Sequence, residues 1–412
     1  MVKFNNITEA IDWLQNQHKF NGKKDLNLFK QAFIDLNIDL SNIKKIHVGG
    51  TNGKGSTASY INNVLVNNGK KVGLFTSPYL VTFNERIRIN SSYITNDDLL
   101  SLINYFYNYN EYLYNKYRYK LSFFEILTLL SLKYFYDMKC DVIIMEIGIG
   151  GNLDSTNIIN YDVTLITNIG FDHMKVLGNT LEEIALEKIK ALKNNGHLIT
   201  TMDEKFEPLI KSYISSISAT YHLIDSKLIK EVDNNRFNYK DLNFNLLMLG
   251  DYQRKNAVLA YEGIKYLFDF EDENIIKYIN QTIWQGRFEE IYPNIYIDGA
   301  HNVDAVSSLF LNVEKLFKNK KVTVVYSALK DKDINAMLNI IRRYNYEIIL
   351  TSFPDFRFES LENFIGKNIS YKPNSLELIK NLKNNISKDE VIIITGSLHF
   401  IGYIKQNIKE ID

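Results

Sequence analysis

The chain has 412 residues, 45% hydrophobic and 23% charged, a length beyond one ordinary core and a composition typical of a soluble globular protein, so two domains are expected. Its 48 basic and 48 acidic residues cancel, which argues against a nucleic-acid binder, and its single cysteine, Cys140, rules out an internal disulfide and suits a reducing cytoplasm. No apolar run approaches the ~20 residues needed to cross a bilayer, and Met1 to Gly22 lacks the pattern of a signal peptide, so no membrane partner and a cytoplasmic location are expected.

In chain order, apolar runs of strand length alternate with segments of helical period. The first series of predicted strands is Ile43–Val48, Val72–Thr76, Val142–Glu146, Thr164–Asn168 and Leu198–Thr201. Cys140 precedes a very apolar stretch, where a buried structural thiol is expected rather than a nucleophile. Residues 218–250 alternate in short stretches around Asn234-Asn235 and predict a small antiparallel hairpin. The segment Trp284–Asn294 then leads to a second series, Ile295–Asp298, Val322–Tyr326, Glu347–Thr351 and Val391–Thr395. Mostly apolar strands separated by helices indicate parallel sheet covered on both faces. The expectation is an α/β protein. Residues 1–290 would make an N-terminal, mostly parallel domain with the hairpin region, and the glycine-rich run after its first strand marks it as a P-loop domain; residues 291–412 would make a C-terminal Rossmann-like α/β domain.

The run Gly49-Gly50-Thr51-Asn52-Gly53-Lys54-Gly55-Ser56 follows the first predicted strand, and a helix is expected from about Thr57 to Gly69. Strand, glycine turn and helix N-terminus make an anion site, because the glycines let backbone N–H groups wrap phosphate and the helix dipole favours negative charge. Lys54 would neutralise β/γ oxygens, while Ser56 or Thr57 offers a hydroxyl to Mg²⁺. The spacing departs from the usual G-x-x-x-x-G-K-[ST], since three residues separate Gly49 from Gly53 and Gly55 intervenes before Ser56. Glu146 ends its strand on the rim where such sheets bind ligands, and a hard cation beside phosphates wants that oxygen. Thr180 and Glu183 spell a capping box for a helix ending by Gly196, and Lys188 falls on its apolar stripe with Leu181, Ile184, Ala185 and Leu192. An inward lysine needs neutralisation, pairing or snorkelling.

The run His47 to Thr57 resembles the phosphate loop of the folylpolyglutamate synthase/dihydrofolate synthase family, a branch of the Mur ligases. Further resemblance lies in Leu74 to Leu80, Phe83 to Arg88, Glu146 to Asn157, Asp172-His173 with Leu177-Gly178, and Asp298-Gly-Ala-His-Asn302, in the family's order. The resemblance implies ATP held by Gly50, Thr51, Asn52, Gly53, Lys54, Gly55, Ser56 and Thr57, with Asn256, Arg287, Asp298 and His301 completing the nucleotide site. Arg287 would reach the phosphates across the domain boundary, and Asp298 the ribose hydroxyls. Two Mg²⁺ sites are implied, on Ser56, Ser77, Glu146 and His173, with K⁺ as a further cation. Lys54, Lys188, His173 and Arg287 take the catalytic roles, and Lys188 matches a lysine carbamylated in many members, although Ile189-Lys190 replaces the usual Ala-Gly after it.

Tyr79, Asn152 and Asp154 match the acceptor site, with Tyr79 in place of histidine, Asn152 in place of arginine, and Asp154 at a pterin-contacting aspartate. The implied enzyme is a monomeric amide ligase adding L-glutamate to dihydropteroate or folate through an acyl phosphate. A Mur-ligase-like paralogue acting on a different carboxylate is the alternative. A phosphate-loop switch would leave Glu146, His173 and Lys188 without a role, and no Asn-Lys-x-Asp guanine-reading motif supports it.

Overall fold

Runs rich in Val, Ile and Leu become central strands when both faces of the sheet are covered. The computed structural model describes residues 3–18 and 25–411, so the stretch scanned above for a leader falls partly outside them. The chain forms two compact units that interleave in sequence. The first holds Met1–Ile169, His173–Ser226 and Asn256–Ile279, and the second holds Gly170–Asp172, Lys227–Lys255 and Asn280–Asp412.

In the first unit the strands are β1 Lys44–Gly49, β2 Val72–Phe75, β3 Ile87–Ile89, β4 Ser92–Tyr93, β5 Val142–Glu146, β6 Val163–Ile166, β7 His197–Thr200 and β8 Thr220–Leu223. They form one sheet in the order β4-β3-β2-β5-β1-β6-β7-β8. It is parallel apart from the β3 and β4 edge, which pairs antiparallel. All five strands expected in this half are present within a residue or two. The sequence around 220 does not begin a hairpin but adds β8 to the parallel sheet. Because β1 lies between β5 and β6, the end of β1 opens where loops on both sides leave the sheet. The register sets Val48 beside Glu146 and Gly49 beside Ile166.

Helices Asn96–Tyr117 and Phe123–Asp137 bury their apolar residues with Phe75, Ile143 and Met145 in the core on one side. Buried Glu125 starts the second of these, accepting from Ser122 N and Oγ, each at 2.7 Å, and from the Tyr119 hydroxyl. Cys140 is buried, and loss of water pushes its thiol up to about 12, as befits a structural thiol. The capping box of Thr180 and Glu183 opens the helix Leu181–Ile189 as expected. That helix ends before Leu192 and Gly196, because Ala191 N and Leu192 N bond back only three residues and tighten the last turn.

The second unit has a three-stranded antiparallel sheet of β9 Ile229–Glu231, β10 Arg236–Tyr239 and β11 Leu242–Asn245. Its tight two-residue turn is Lys240-Asp241, both at positive φ, whereas Asn234-Asn235 lies in the link from β9 to β10. The larger sheet comprises β12 Glu289–Tyr292, β13 Ile295–Ile297, β14 Lys321–Tyr326, β15 Glu347–Ser352, β16 Ile369–Asn374 and β17 Glu390–Thr395, in the order β12-β13-β17-β14-β15-β16. Only β12 runs antiparallel. The sequence does not announce β16, an edge strand with one buried residue, Ile369, and a proline.

Gly73 in β2 leaves room for the Phe135 ring, since a Cβ there would fall 2.5 Å from the ring carbons. Gly73→Ala is expected to destabilise the fold by about 1–3 kcal/mol through overpacking. Phe135→Leu added to it should recover part of that loss in urea unfolding; strictly additive losses would refute the contact as the cause.

Candidate active site

The helix that follows the glycine loop runs Lys54–Asn67, three residues earlier than the sequence suggests, because Gly53 turns the chain at φ +85° and starts it directly. Gly53 has no side chain with which to cap this N-terminus, and the helix dipole favours an anion there. The two residues before Gly53 are pinned to the end of β6. Thr51 N donates to Asn168 O at 2.9 Å, Asn52 N to Asn168 Oδ1 at 2.9 Å, and Thr167 Oγ1 to Asn52 O at 2.5 Å. Asn256 packs on Gly53 so closely that a Cβ there would meet its Oδ1 at 2.4 Å. The expected nucleotide residues Gly50 to Thr57 and Asn256 therefore meet at one place.

Two lysine side chains converge on a single carbonyl. Lys54 Nζ donates to Gly50 O at 3.2 Å and Thr51 O at 3.0 Å, and Lys188 Nζ donates to Gly50 O at 3.0 Å. Lys188 is only 4% exposed, so the inward orientation read from its helical stripe is what the chain adopts. Glu146 is buried beside the loop, and its Oε2 accepts from Ser77 N at 3.1 Å. The Ser77 main chain and the Glu146 carboxylate thus lie side by side, and Ser56 lies in the first turn of the loop helix. His173 is exposed on the connection after β6 with left-handed backbone, preceding the short helix Met174–Leu177.

Behind this face runs a buried polar chain. The Asp154 carboxylate accepts from Gly148 N (3.1 Å), Ile149 N (3.0 Å), Thr156 N (2.9 Å) and Thr156 Oγ1 (2.6 Å). Burial raises its pKa against those four donors. With its hydroxyl hydrogen given to Asp154, Thr156 Oγ1 accepts from His47 Nε2 at 2.8 Å. The His47 ring stacks on Tyr161 at 3.9 Å, and its Nδ1 is buried without a partner. Removal from water, with Lys193 nearby, therefore holds the His47 pKa far below that of a free imidazole. Asp154 acts here as the bracket of the Gly148–Thr156 loop. Asn152 in the same loop donates its N–H to Glu187 O at 3.2 Å, tying the loop to the Lys188 helix.

Near Ser77, a second bracket shapes the turn after β2. Glu85 accepts from Leu80 N at 2.9 Å, Val81 N at 2.8 Å and Thr82 N at 2.9 Å. Half-buried Tyr79 is carried on that turn. Arg86, part of the Phe83 to Arg88 run, has no role suggested by its sequence position, yet it is only 8% exposed. Its neighbours in sequence, Asn84, Glu85 and Arg88, are themselves polar, so nothing local marks it as a buried cation.

In the second unit, Asp298 is buried at the end of β13, with Oδ2 accepting from Phe288 N and Oδ1 from Ala300 N, each at 2.8 Å. Burial raises its pKa, offset in part by the charge of neighbouring Arg287. His301 Nδ1 donates to Gly299 O at 2.7 Å, and burial lowers its pKa to about 4. Arg287 lies over Gly299, where a Cβ would meet its Nη1 at 3.2 Å. Arg287, Asp298 and His301 are thus one cluster within this unit. Asp172 binds Lys332 Nζ at 3.2 Å and Asn302 Nδ2 at 3.2 Å beside it, two partners that sequence reasoning passed over.

A glycine loop and uncapped helix at the end of a central parallel strand, with lysines on the loop and a carboxylate beside it, define a phosphate-handling active site. The Mur ligase middle domain matches residues 48–262, and the Mur ligase glutamate ligase domain matches residues 286–398, which places the chain among the ATP-dependent Mur-type ligases. It is 33% identical over 432 residues to the dihydrofolate synthase/folylpolyglutamate synthase of Bacillus subtilis, covering 98% of this chain and 100% of that protein. It is 30% identical to the folylpolyglutamate synthase of Lacticaseibacillus casei, covering 88% and 89%. The apo form of L. casei FPGS superposes with a TM-score of 0.84 at 26% identity over 98% of this chain and 100% of that one. An FPGS–AMPPCP–folate complex superposes with a TM-score of 0.82 at 26% identity, over 98% and 99%. The chain belongs to the dihydrofolate synthase/folylpolyglutamate synthase family.

The buried, neutral His47 makes stability depend on pH. Its folded pKa is depressed below the unfolded value of about 6.5, so on acidification the unfolded chain takes up a proton that the folded chain refuses. Stability contributed by neutral His47 is present above about pH 6.5 and is lost as pH falls below it. Urea unfolding of His47→Gln between pH 7.5 and 5 should show a shallower loss than the parent, by up to ~1.4 kcal/mol per pH unit. An identical slope in the two proteins would show that His47 takes no part in the linkage.

Proposed function

We propose that this chain adds L-glutamate to dihydropteroate and to reduced folates, as a cytoplasmic monomer. The observation that carries the reading is the convergence of Lys54 and Lys188 on Gly50 O at an uncapped helix N-terminus, with Glu146 at the neighbouring strand end. The FPGS–AMPPCP–folate complex among the structural neighbours supports both the nucleotide and the acceptor class. An oxygen of the acceptor's carboxylate attacks the γ-phosphorus of ATP, the bond to ADP breaks, and an acyl phosphate forms. The amine of glutamate then attacks the acyl carbon, phosphate leaves with its electron pair, and the amine proton passes to solvent.

The backbone N–H groups at the start of the Lys54–Asn67 helix bind phosphate oxygens, and Lys54 offsets the charge that builds on them. Arg287, Asp298 and His301 are assigned to ATP from the second unit. Ser56, Ser77, Glu146 and His173 would hold two Mg²⁺ ions, K⁺ being a third cation of the site. The hydroxyl and carboxylate oxygens suit a hard cation, and the adjacency of Ser77 and Glu146 fits one. When bound, Mg²⁺ supplies neutralisation of phosphate charge.

Lys188 is proposed to carry a carbamate, formed when its neutral amine adds to CO₂ and releases a proton. Its burial favours the neutral amine. Tyr79, Asn152 and Asp154 are assigned to the acceptor, Asp154 also holding its own loop in shape.

Phosphate release is expected only when Mg²⁺, L-glutamate and a pteroate or folate acceptor are all present, with product mass one glutamyl residue heavier. Release indifferent to every pterin acceptor would overturn this reading in favour of a paralogue acting on another carboxylate. Lys188→Ala should abolish turnover, and acetate or a similar short carboxylate should restore part of it. Near-normal turnover of that variant would dispose of the carbamate.

A further inference from the structure

Arg86 is buried without the partners a buried guanidinium normally has. Its Nε lies in the interior with no hydrogen-bond partner. Its charge is opposed at a distance by Glu146 and Glu85, and the Glu85 oxygens are already taken by three backbone N–H groups. The guanidinium carbon sits 5.0 Å from the Tyr79 ring centroid, 5.4 Å from Phe83 and 5.6 Å from Phe123. Such rings favour the cation over its faces but accept nothing from its N–H edge. Burial draws its pKa down to about 10, which still leaves it charged at neutral pH. An unmet donor on a buried cation is costly to the fold unless something else fills it.

The backbone fixes where that edge lies. Phe75 pairs with Ile87, and Thr76 N donates to Arg86 O at 2.9 Å, so Arg86 is registered against the residue before Ser77. Ser77 N in turn binds Glu146. The guanidinium therefore flanks the Ser77–Glu146 end of the site, on a wall that also carries Tyr79.

We propose that Arg86 anchors the acceptor through its reacting carboxylate, the N–H edge holding one oxygen while the other is left for the γ-phosphoryl group. The aromatic rings around it hold the guanidinium in place and give the acceptor's ring system an apolar wall. This assignment rests on the acceptor class proposed above. Arg86 is thus a specificity-determining residue, selecting an anionic, planar acceptor end.

The test compares pteroic acid with its carboxamide, in which the anion is replaced by a neutral group of the same shape. Titrations use the full chain with ATP and Mg²⁺ but no glutamate, on wild type, Arg86→Gln and Arg86→Lys. Wild type should bind the acid roughly tenfold or more tighter than the amide, as a charge-assisted hydrogen bond provides. In Arg86→Gln the ratio should collapse to near one while the amide still binds, and KM should rise for the acceptor but not for ATP. Arg86→Lys keeps the charge without the planar edge, so its ratio should fall between the two. An acid-to-amide ratio in the variants equal to that of wild type overturns the assignment alone. A wild type that binds neither compound overturns the acceptor class, and this assignment with it.

Discussion

Gly50 lies so close to Thr167 that a Cβ would fall 1.9 Å from its hydroxyl oxygen, and the arrangement of the phosphate loop depends on that approach. At φ +132° only glycine bends the chain there without strain. The bend lets Thr51 and Asn52 bond to the end of β6, aims Gly50 O at both lysines, and delivers Gly53 to begin the helix. Each of those consequences is a hydrogen bond or a dihedral, and none needs a ligand to form. The loop is accordingly preorganised: its backbone entropy is lost on folding rather than on binding.

The polar groups buried behind the loop form a connected line of donors and acceptors that ends on the unpartnered His47 Nδ1. Asp154 takes four hydrogen bonds, the Thr156 hydroxyl gives one and receives one, and His47 completes the line. Such a chain resists substitution because removing one member strands its neighbour in the interior. It also gives the fold a dependence on acid that no surface ion pair could supply, since exposed pairs contribute ~0–1 kcal/mol and are screened.

The central strands and the phosphate loop were legible because their signals are local. Val142–Glu146 and Val391 to Thr395 are unbroken apolar runs, and the glycines stand between a strand and a helix. Lys188 was legible too, from helical spacing alone. The strands β3, β4 and β16 were not, because β3 is only three residues long with Arg88 at its centre, while the edge strands β4 and β16 are largely exposed and show no apolar run. Arg86 and Thr167 gave no usable signal, since what sets them apart is who surrounds them across long sequence separations. Asp154 was read as a contact for the acceptor, and its bonds to main-chain N–H groups five and six residues upstream are visible only once the loop closes on itself.

The Glu85 bracket bears on how the acceptor wall can change. One carboxylate fixes the main chain of Leu80, Val81 and Thr82 from a position three to five residues downstream. The conformation of the turn is thereby decoupled from the side chains displayed on it. On the proposed reading, in which Tyr79 faces the acceptor, position 79 adjoins a main chain held independently of its side chain, so a lineage can explore new acceptors there while keeping the phosphate chemistry intact. In that sense the bracket is a device for evolvability as much as for rigidity.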